Sequence, residues 1–498
     1  MGTPPFQLSE PMAKTINPNS NMFPDEKLLG YDYMPAAVDF LYTYEVLGVK
    51  YEKNDASKVF TRALRDGIHV FYYPDRTIYR LRSGVSHAGI PDVALDEYIE
   101  YSPLSAPDMY ENMGYRYMMI SPPHMNFVPA PLRNGKVRII ADSGGFQLRR
   151  GVMDFIDPEM LVGFYNKTND FGVGLDVPMN PRLFDTRLRR MANVTARNGV
   201  YIKKNMIPGV KLYDLNHGTT LEHRRAYMEI TNKYDALDGL AIGGTSSNVL
   251  GESTVAAHLI RGMVGICDIL DKTRDRYHTA HILGTTTPFY MFFMNAITSG
   301  GFFPHMTSDS STYAQSGIMN RQVMSYPGSS VLFNNQLPKD GIFYQLACSC
   351  PACSMVRYSP NFVINARANM MHALHYYAYM QRVTKELADS WIRGDMSEKA
   401  LEPLVIPSSF DHRQFKGFLR FLKDLLNHGF DKAYTKNAGF LKSFVPIPAA
   451  TRGHLFSKKT QEDLVDPKDA ARTDSILSNY EKWQDDHGIV DKCKKLRK

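Results

Sequence analysis

The sequence predicts an α/β protein built on a (β/α)8 TIM-type barrel, with a structural zinc subdomain inserted late in the barrel and a helical extension behind it. Three observations carry this. From about residue 115, short strand-like runs alternate with amphipathic helical stretches, the pattern of a parallel sheet. No G-x-G-x-x-G follows the early strands, which disfavours two dinucleotide-binding halves. Acidic, amide and glycine residues stand just past the ends of the strand-like runs, where such barrels carry their working groups.

The elements follow in order. Residues 1 to about 35 are rich in Pro, Asn and Met and read as an irregular arm. Residues from about 36 to 110 mix helical and strand signals and complete an N-terminal extension, 1–110, of unassigned fold. The barrel is expected over 111–385. Its strand candidates are "YRYMMISP", "VRIIADSGG", "GVGLDVP", "KLYDLNHG", "GLAIGG", "HTAHILGT" and "GFFPHMTSD". Helices are expected over 157–170, 188–205, 220–237, 253–274 and 288–299. The fourth shows the helical period plainly: Val255, Ala256, Leu259, Ile260, Met263, Val264, Cys267 and Leu270 recur at three and four, behind Ser253 or Thr254 as a cap. Residues 386–498 form a helical, basic extension ending in "DKCKKLRK".

The strand ends present Asp142, Asp176, Asn216, Gly239 to Gly244, and Asp309. In "RIIADSGGFQL" a buried-type strand runs into Asp142 and Ser143, and Gly144 and Gly145 then remove the side chains that would keep a ligand off the backbone. By itself this run also reads as a tight turn with Asp142 bonding its own backbone.

The totals narrow the class. Apolar residues at 44% and charged residues at 22% describe an ordinary globular protein, and a net charge of +7 over 498 residues permits a nucleic-acid partner without requiring one. "MGTPPFQLSEPMAK" lacks a basic segment followed by an apolar run, Phe6 argues against myristoylation, and no run reaches about 18 apolar residues. A cytoplasmic protein with no membrane partner is expected. Of five cysteines, Cys348, Cys350 and Cys353 fall within six residues, which is metal spacing rather than a disulfide framework. With His372 or His375 they make a closed tetrahedral Zn2+ site, structural because no position is left open for water. The zinc subdomain is expected over about 340–380. Cys267 reads as core, and Cys493 stands in the basic tail.

"ADSGGFQL", "GLAIGG" and the cysteine cluster, in that order on a barrel, resemble the tRNA-guanine transglycosylase superfamily over roughly residues 115 to 385. Members exchange a guanine in a polynucleotide for a 7-deazaguanine without cutting the chain. The resemblance implies that Asp142 is the general acid/base, with Ser143 and Gly144 beside it at the base. It implies that Asp176 reads the base's pairing edge, where a carboxylate can accept from ring N–H and amino groups. Gly239 and Leu240 match the backbone that touches the base, and Asn216 stands near the family's base-contacting glutamine. "ARANMMHALHYY" favours His372 as the fourth zinc ligand. "SDSSTYA" is similar to the run that carries the nucleophile in the archaeal branch, which assigns that role to Asp309; it is the only acidic residue between Asp275 and Asp340. Attack of a carboxylate on C1′ and protonation of the leaving base by a second acid give exchange with retention, and predict Asp142 and Asp309 about 5 Å apart.

Departures from the family bear on substrate. The bacterial L-P-T-R-N-A-R-type stretch is absent, and Gly244 stands where those enzymes carry a glutamate that recognises an aminomethyl-bearing base. This favours the neutral nitrile base preQ0. No archaeal RNA-binding extension is recognisable in the residues after the zinc region, so the resemblance is closest to the DNA-guanine (DpdA-like) transglycosylases of phages and bacteria. The expected partner is therefore DNA, in a host cytoplasm if the gene is a phage's, with an archaeosine-type tRNA enzyme as the alternative. A homodimer through the zinc region and helper proteins that open DNA are compatible with it. A non-catalytic partner subunit is disfavoured, because such members lack the acids that this chain keeps at 142 and 309.

Overall fold

A computed structural model of the protein describes residues 30–35, 43–46, 49–52, 69–72, 77–80, 115–120, 138–145, 148, 155–168, 170–177, 183–234, 237–244, 255–284, 287–310, 323–325, 329–331, 366–405, 412–442 and 465–489. Eight parallel strands form a nearly closed barrel. They are β1 (Gly30–Pro35), β6 (Tyr117–Ile120), β7 (Arg138–Ala141), β8 (Phe171–Val173), β9 (Lys211–Asn216), β10 (Gly239–Ile242), β11 (Thr279–Ile282) and β12 (His305–Ser310). Three two-stranded antiparallel ribbons accompany them. These are β2 (Thr43–Val46) with β3 (Val49–Glu52), β4 (His69–Tyr72) with β5 (Thr77–Arg80), and β13 (Val323–Ser325) with β14 (Ser329–Val331).

All seven expected barrel strands form, and an eighth comes from the segment read as an irregular arm. β1 pairs in parallel with β12, Met34 opposite Asp309, and so completes the wall beside the expected nucleophile. Its run "GYDYMP" is short, mixes aromatic and acidic residues, and finds its partner some 275 positions away, so nothing local announces it. The seam between β1 and β6 is held by Asp32, whose carboxylate takes Arg116 Nε at 2.9 Å and Nη2 at 2.6 Å. Burial alone would raise the Asp32 pKa, but His305 and the Arg116 guanidinium hold it below its ordinary value.

The period of two decides which residues fill the barrel. Met34, Tyr117, Met119, Ile140, Phe171, Val173, Tyr213, Leu215 and Ala241 form one interior cluster. Their alternates, among them Met118, Ile139, Leu212, Leu240, Ile282 and Met306, join the larger core between sheet and helices.

The crossover helices are α1 (Pro158–Thr168), α2 (Phe184–Asn205), α3 (Leu221–Thr231), α4 (Val255–Thr273) and α5 (Pro288–Ser299). Thr220 caps α3 by accepting from His223 N, and Thr287 caps α5 by accepting from Tyr290 N, so the helices begin where β-strand exits need them to. α3 stops six residues before the expected 237.

The expected C-terminal helices are α6 (Ala366–Arg393), α7 (Glu398–Val405), α8 (His412–His428), α9 (Phe430–Lys436), α10 (Ala438–Leu441) and α11 (Pro467–Asp486). They pack on the barrel. Phe418 of α8 meets Phe289 of α5 at 5.2 Å between ring centroids. α11 lies along α2, with Arg187 on Asp474, Arg190 on Glu481, and the buried Gln484 amide donating to Val194 O at 2.9 Å. The half-exposed ion pairs are worth little each, so the buried amide and the Tyr480 hydroxyl on Ile156 do most to fix the contact. Cys348, Cys350 and Cys353 lie outside the described residues, as do Cys493 and the basic tail, while His372 falls near the start of α6. Cys267 is buried in α4 as expected. Among the described residues no helix is long and apolar enough to cross a membrane.

Candidate active site

Four strand ends bring charged and polar groups to one mouth of the barrel. β7 ends at Ala141 and Asp142 follows at once. Gly144 then takes φ +84°, a left-handed turn that a glycine enters without steric cost. Between them Ser143 is fully buried, and its Oγ accepts from Asp176 N at 3.3 Å. The D-S-G-G run therefore has a second use, tying the loop after β8 to the loop after β7.

Asp176 sits three residues past β8, 7% exposed. Its Oδ1 lies 3.0 Å from Nε2 of His217, the residue after β9. The two are near enough to attract but not aligned to bond, and each atom is buried with no hydrogen-bond partner. A buried donor or acceptor left so costs about 1–3 kcal/mol, which marks this pair as a place built to be completed by something else. The His217 ring is held by Tyr227 edge-on at 5.9 Å and by Gly243, where a Cβ would come within 2.2 Å of Cε1. Gly243→Ala is accordingly expected to cost about 1–3 kcal/mol of stability and to displace His217, read as a lower melting temperature with the fold retained by circular dichroism.

Asp309 is the fifth residue of β12, 9% exposed. Its Oδ1 accepts from Gly284 N at 2.7 Å and faces His281 Nε2 at 3.2 Å. His281 is fully buried, and its Nδ1 lies 2.9 Å from Thr307 Oγ1. A carboxylate can only accept, so the proton belongs on Nε2 and the Thr307 hydroxyl donates to Nδ1. This chain aims Asp309 and stabilises its negative form.

Asp142 is in the opposite condition. Burial, then the charges of Asp309 and Asp176, raise its pKa to about 7, against the pull of the Ser143 and Gly144 peptide N–H groups. Two carboxylates acting on a third place all three within one electrostatic neighbourhood. One of them is poised to hold a proton near neutrality and another is held as a base or nucleophile, the arrangement that separates acid from base roles.

The other expected residues fall elsewhere. Asn216 closes β9, but its side chain is turned to Arg224: Nδ2 donates to Arg224 O at 2.9 Å and Oδ1 accepts from Nη1 at 3.3 Å. Gly239 and Leu240 open β10 rather than close it, so of the run 239–244 only Gly243 and Gly244 stand past the strand's end. A Cβ at Gly239 would meet the Tyr213 ring and Thr279 inside the barrel, and Leu240 packs in the outer core, at the far end from Asp142 and Asp309. The physical reason is register: Gly239 pairs with Tyr213, whereas Asn216 pairs with Ile242. His217 and His281 were not singled out by the sequence reading, although both lie in quoted strand runs. The signal for His281 was its place two residues after Thr279, on the inward period that ends at the turn.

No protein-family model matches the chain, and no curated protein matches it. What the mouth of this barrel does must therefore be read from its residues.

Proposed function

We propose that the protein is a guanine transglycosylase that exchanges guanine in DNA for a 7-deazaguanine, preQ0, through a covalent aspartyl-sugar intermediate. The observation that carries this reading is the divided pair of carboxylates: Asp142 raised to about 7, and Asp309 hydrogen-bonded by His281 and Gly284 across the same mouth. In this reading Asp309 attacks C1′ as the bond from C1′ to the base N9 breaks, and the departing purine takes the Asp142 proton. The incoming base returns a proton to Asp142, its N9 attacks C1′, and Asp309 leaves. Two displacements restore the configuration, and no group is consumed.

The unsatisfied pair at the mouth suits the base. Asp176 accepts from ring N–H and amino groups, and His217 Nε2–H donates to a carbonyl oxygen, so a guanine edge would complete both buried atoms. To reach them the nucleotide must leave the helical stack, at a cost of a few kcal/mol. The choice of DNA over tRNA rests on the sequence features named above.

Cys348, Cys350, Cys353 and His372 form the donor set of a structural zinc, which would brace the region before α6 and take no part in the chemistry. About one zinc per chain is expected by atomic emission. Cys350→Ser should release it and lower the melting temperature, since structural zinc contributes folding energy directly.

The deciding assay supplies labelled preQ0, and separately labelled guanine, with duplex DNA, single-stranded DNA and unmodified tRNA in parallel. Label entering DNA alone supports the proposal. Label entering tRNA alone moves the protein to the archaeosine type, and exchange on no substrate, with zinc bound, leaves a nucleic-acid-binding partner subunit.

A further inference from the structure

Beside the carboxylate mouth a second cavity opens between the start of α3 and the flank of α4. Arg224, Arg261, Thr220, Leu221, Gly244 and Gly265 are among its walls, and its empty volume is about 350 Å³ including the open mouth. Arg224 is 2% exposed and Arg261 8% exposed, so two guanidiniums line one small space away from bulk water. Arg224 gives Nη1 to Asn216 Oδ1 at 3.3 Å and Nη2 to Gly243 O at 2.9 Å. Both acceptors are neutral, and among the described residues no carboxylate bonds to Arg224. The nearby buried acid, Asp268, is taken on its other side by Arg225 at 2.8 Å and Lys272 at 3.1 Å. Burial, with the Arg261 charge adding to it, brings the Arg224 pKa down to about 10. A buried charge without a counter-charge is costly, and here two cations share the cost.

The remaining walls point the same way. α3 is 11 residues long, and its first turn faces the cavity with peptide N–H groups that the helix itself cannot pair. Gly244 takes φ +71° with its Cα side against Gly218 O, leaving backbone rather than side chain at the rim. Buried guanidiniums and a helix N-terminus around a pocket of this size are the donor set of a tetrahedral oxyanion.

We propose that this cavity binds a phosphate-type oxyanion and that its natural occupant is a backbone phosphodiester next to the extruded guanine. The identity of the occupant rests on the transglycosylase reading; the oxyanion site does not. Arg224 would transmit the contact, because it ties Asn216 to Gly243, and those two residues adjoin and support His217 at the base pocket.

The test is calorimetric titration of the full chain with inorganic phosphate, against chloride at matched ionic strength. Saturable phosphate binding is expected. Arg261→Gln spares the Asn216 and Gly243 links and should weaken binding about tenfold or more. Gly265→Ala should weaken it too, since a Cβ there would press within 2.9 Å of Arg224 Nε. Absence of saturable binding to the wild-type chain overturns the site even if neither variant folds. Equal affinity in folded variants overturns it as well. Competition then identifies the source. A short single-stranded oligonucleotide displacing phosphate from the Asp309→Ala chain supports the phosphodiester. Displacement by a nucleoside monophosphate alone keeps the oxyanion site and overturns its assignment to a polynucleotide. Failure of the base-exchange assay would leave the phosphate titration untouched, so the two proposals fail separately.

Discussion

Asp309→Asn should lower base exchange by about 10⁴-fold or more and abolish any covalent nucleic acid–protein species on denaturing gels. The size follows from the role: a group that forms the intermediate cannot be replaced by one that only fills its volume. The environment sharpens the expectation. Gly284 N and His281 Nε2 both converge on Oδ1, so an amide placed there must keep its oxygen toward two donors and turn its NH2 group into the mouth. Folding should survive, because the donors remain satisfied, and an unchanged melting temperature is the control. Loss of a charge beside Asp142 gives a second readout, since Asp309 is the first neighbouring charge that raises it. The Asp142 pKa should fall in the variant, measurable by the pH dependence of stability even where no activity remains. Retained exchange would remove Asp309 from the nucleophile's place.

Asp142→Asn is expected to cost about 10²–10⁴-fold in exchange, the range of a positioned general acid/base. In the wild-type chain the departing base needs the protonated carboxyl, so the step that releases guanine should weaken as pH rises through about 7. The stability effect has the opposite sense. The folded pKa lies above the ordinary value of 3.8, so the folded state holds a proton that the unfolded state has lost between those two values. That contribution is full below about pH 4 and disappears as pH climbs through about 7. The gap sets a ceiling of about 4 kcal/mol, which the partial solvent contact of Asp142 reduces to about 1–2 kcal/mol. An amide has no proton to lose. The variant should therefore gain on wild type in denaturant melts at pH 8 and show no such gain at pH 4. Equal pH profiles for the two chains would mean that Asp142 titrates as an ordinary carboxylate.

Much of this frame is legible along the chain because it is local. Seven barrel strands announce themselves by apolar runs that end in turn residues, and α5 begins and ends where Thr287 and Gly300 say it should. Asp142 is legible for the same reason, since a buried strand, an acid and two glycines are consecutive. β1 is not: "GYDYMP" is a strand only because β12 offers it a free edge and Arg116 neutralises Asp32 across the seam. Asp142, Asp176 and Asp309 were each visible singly, whereas their electrostatic joining on Asp142 belongs to the barrel.

Composition and order along the chain thus determined the alternation of strands and helices, the acids at the strand ends and the spacing of the three cysteines. All of these follow from interactions within a few residues of each other. The tertiary structure alone decided which end of β10 faces the site, that Asn216 serves Arg224, and that His281 and His217 serve the two acids. Those facts depend on register between strands, and a shift of one residue turns every side chain to the other face of the wall.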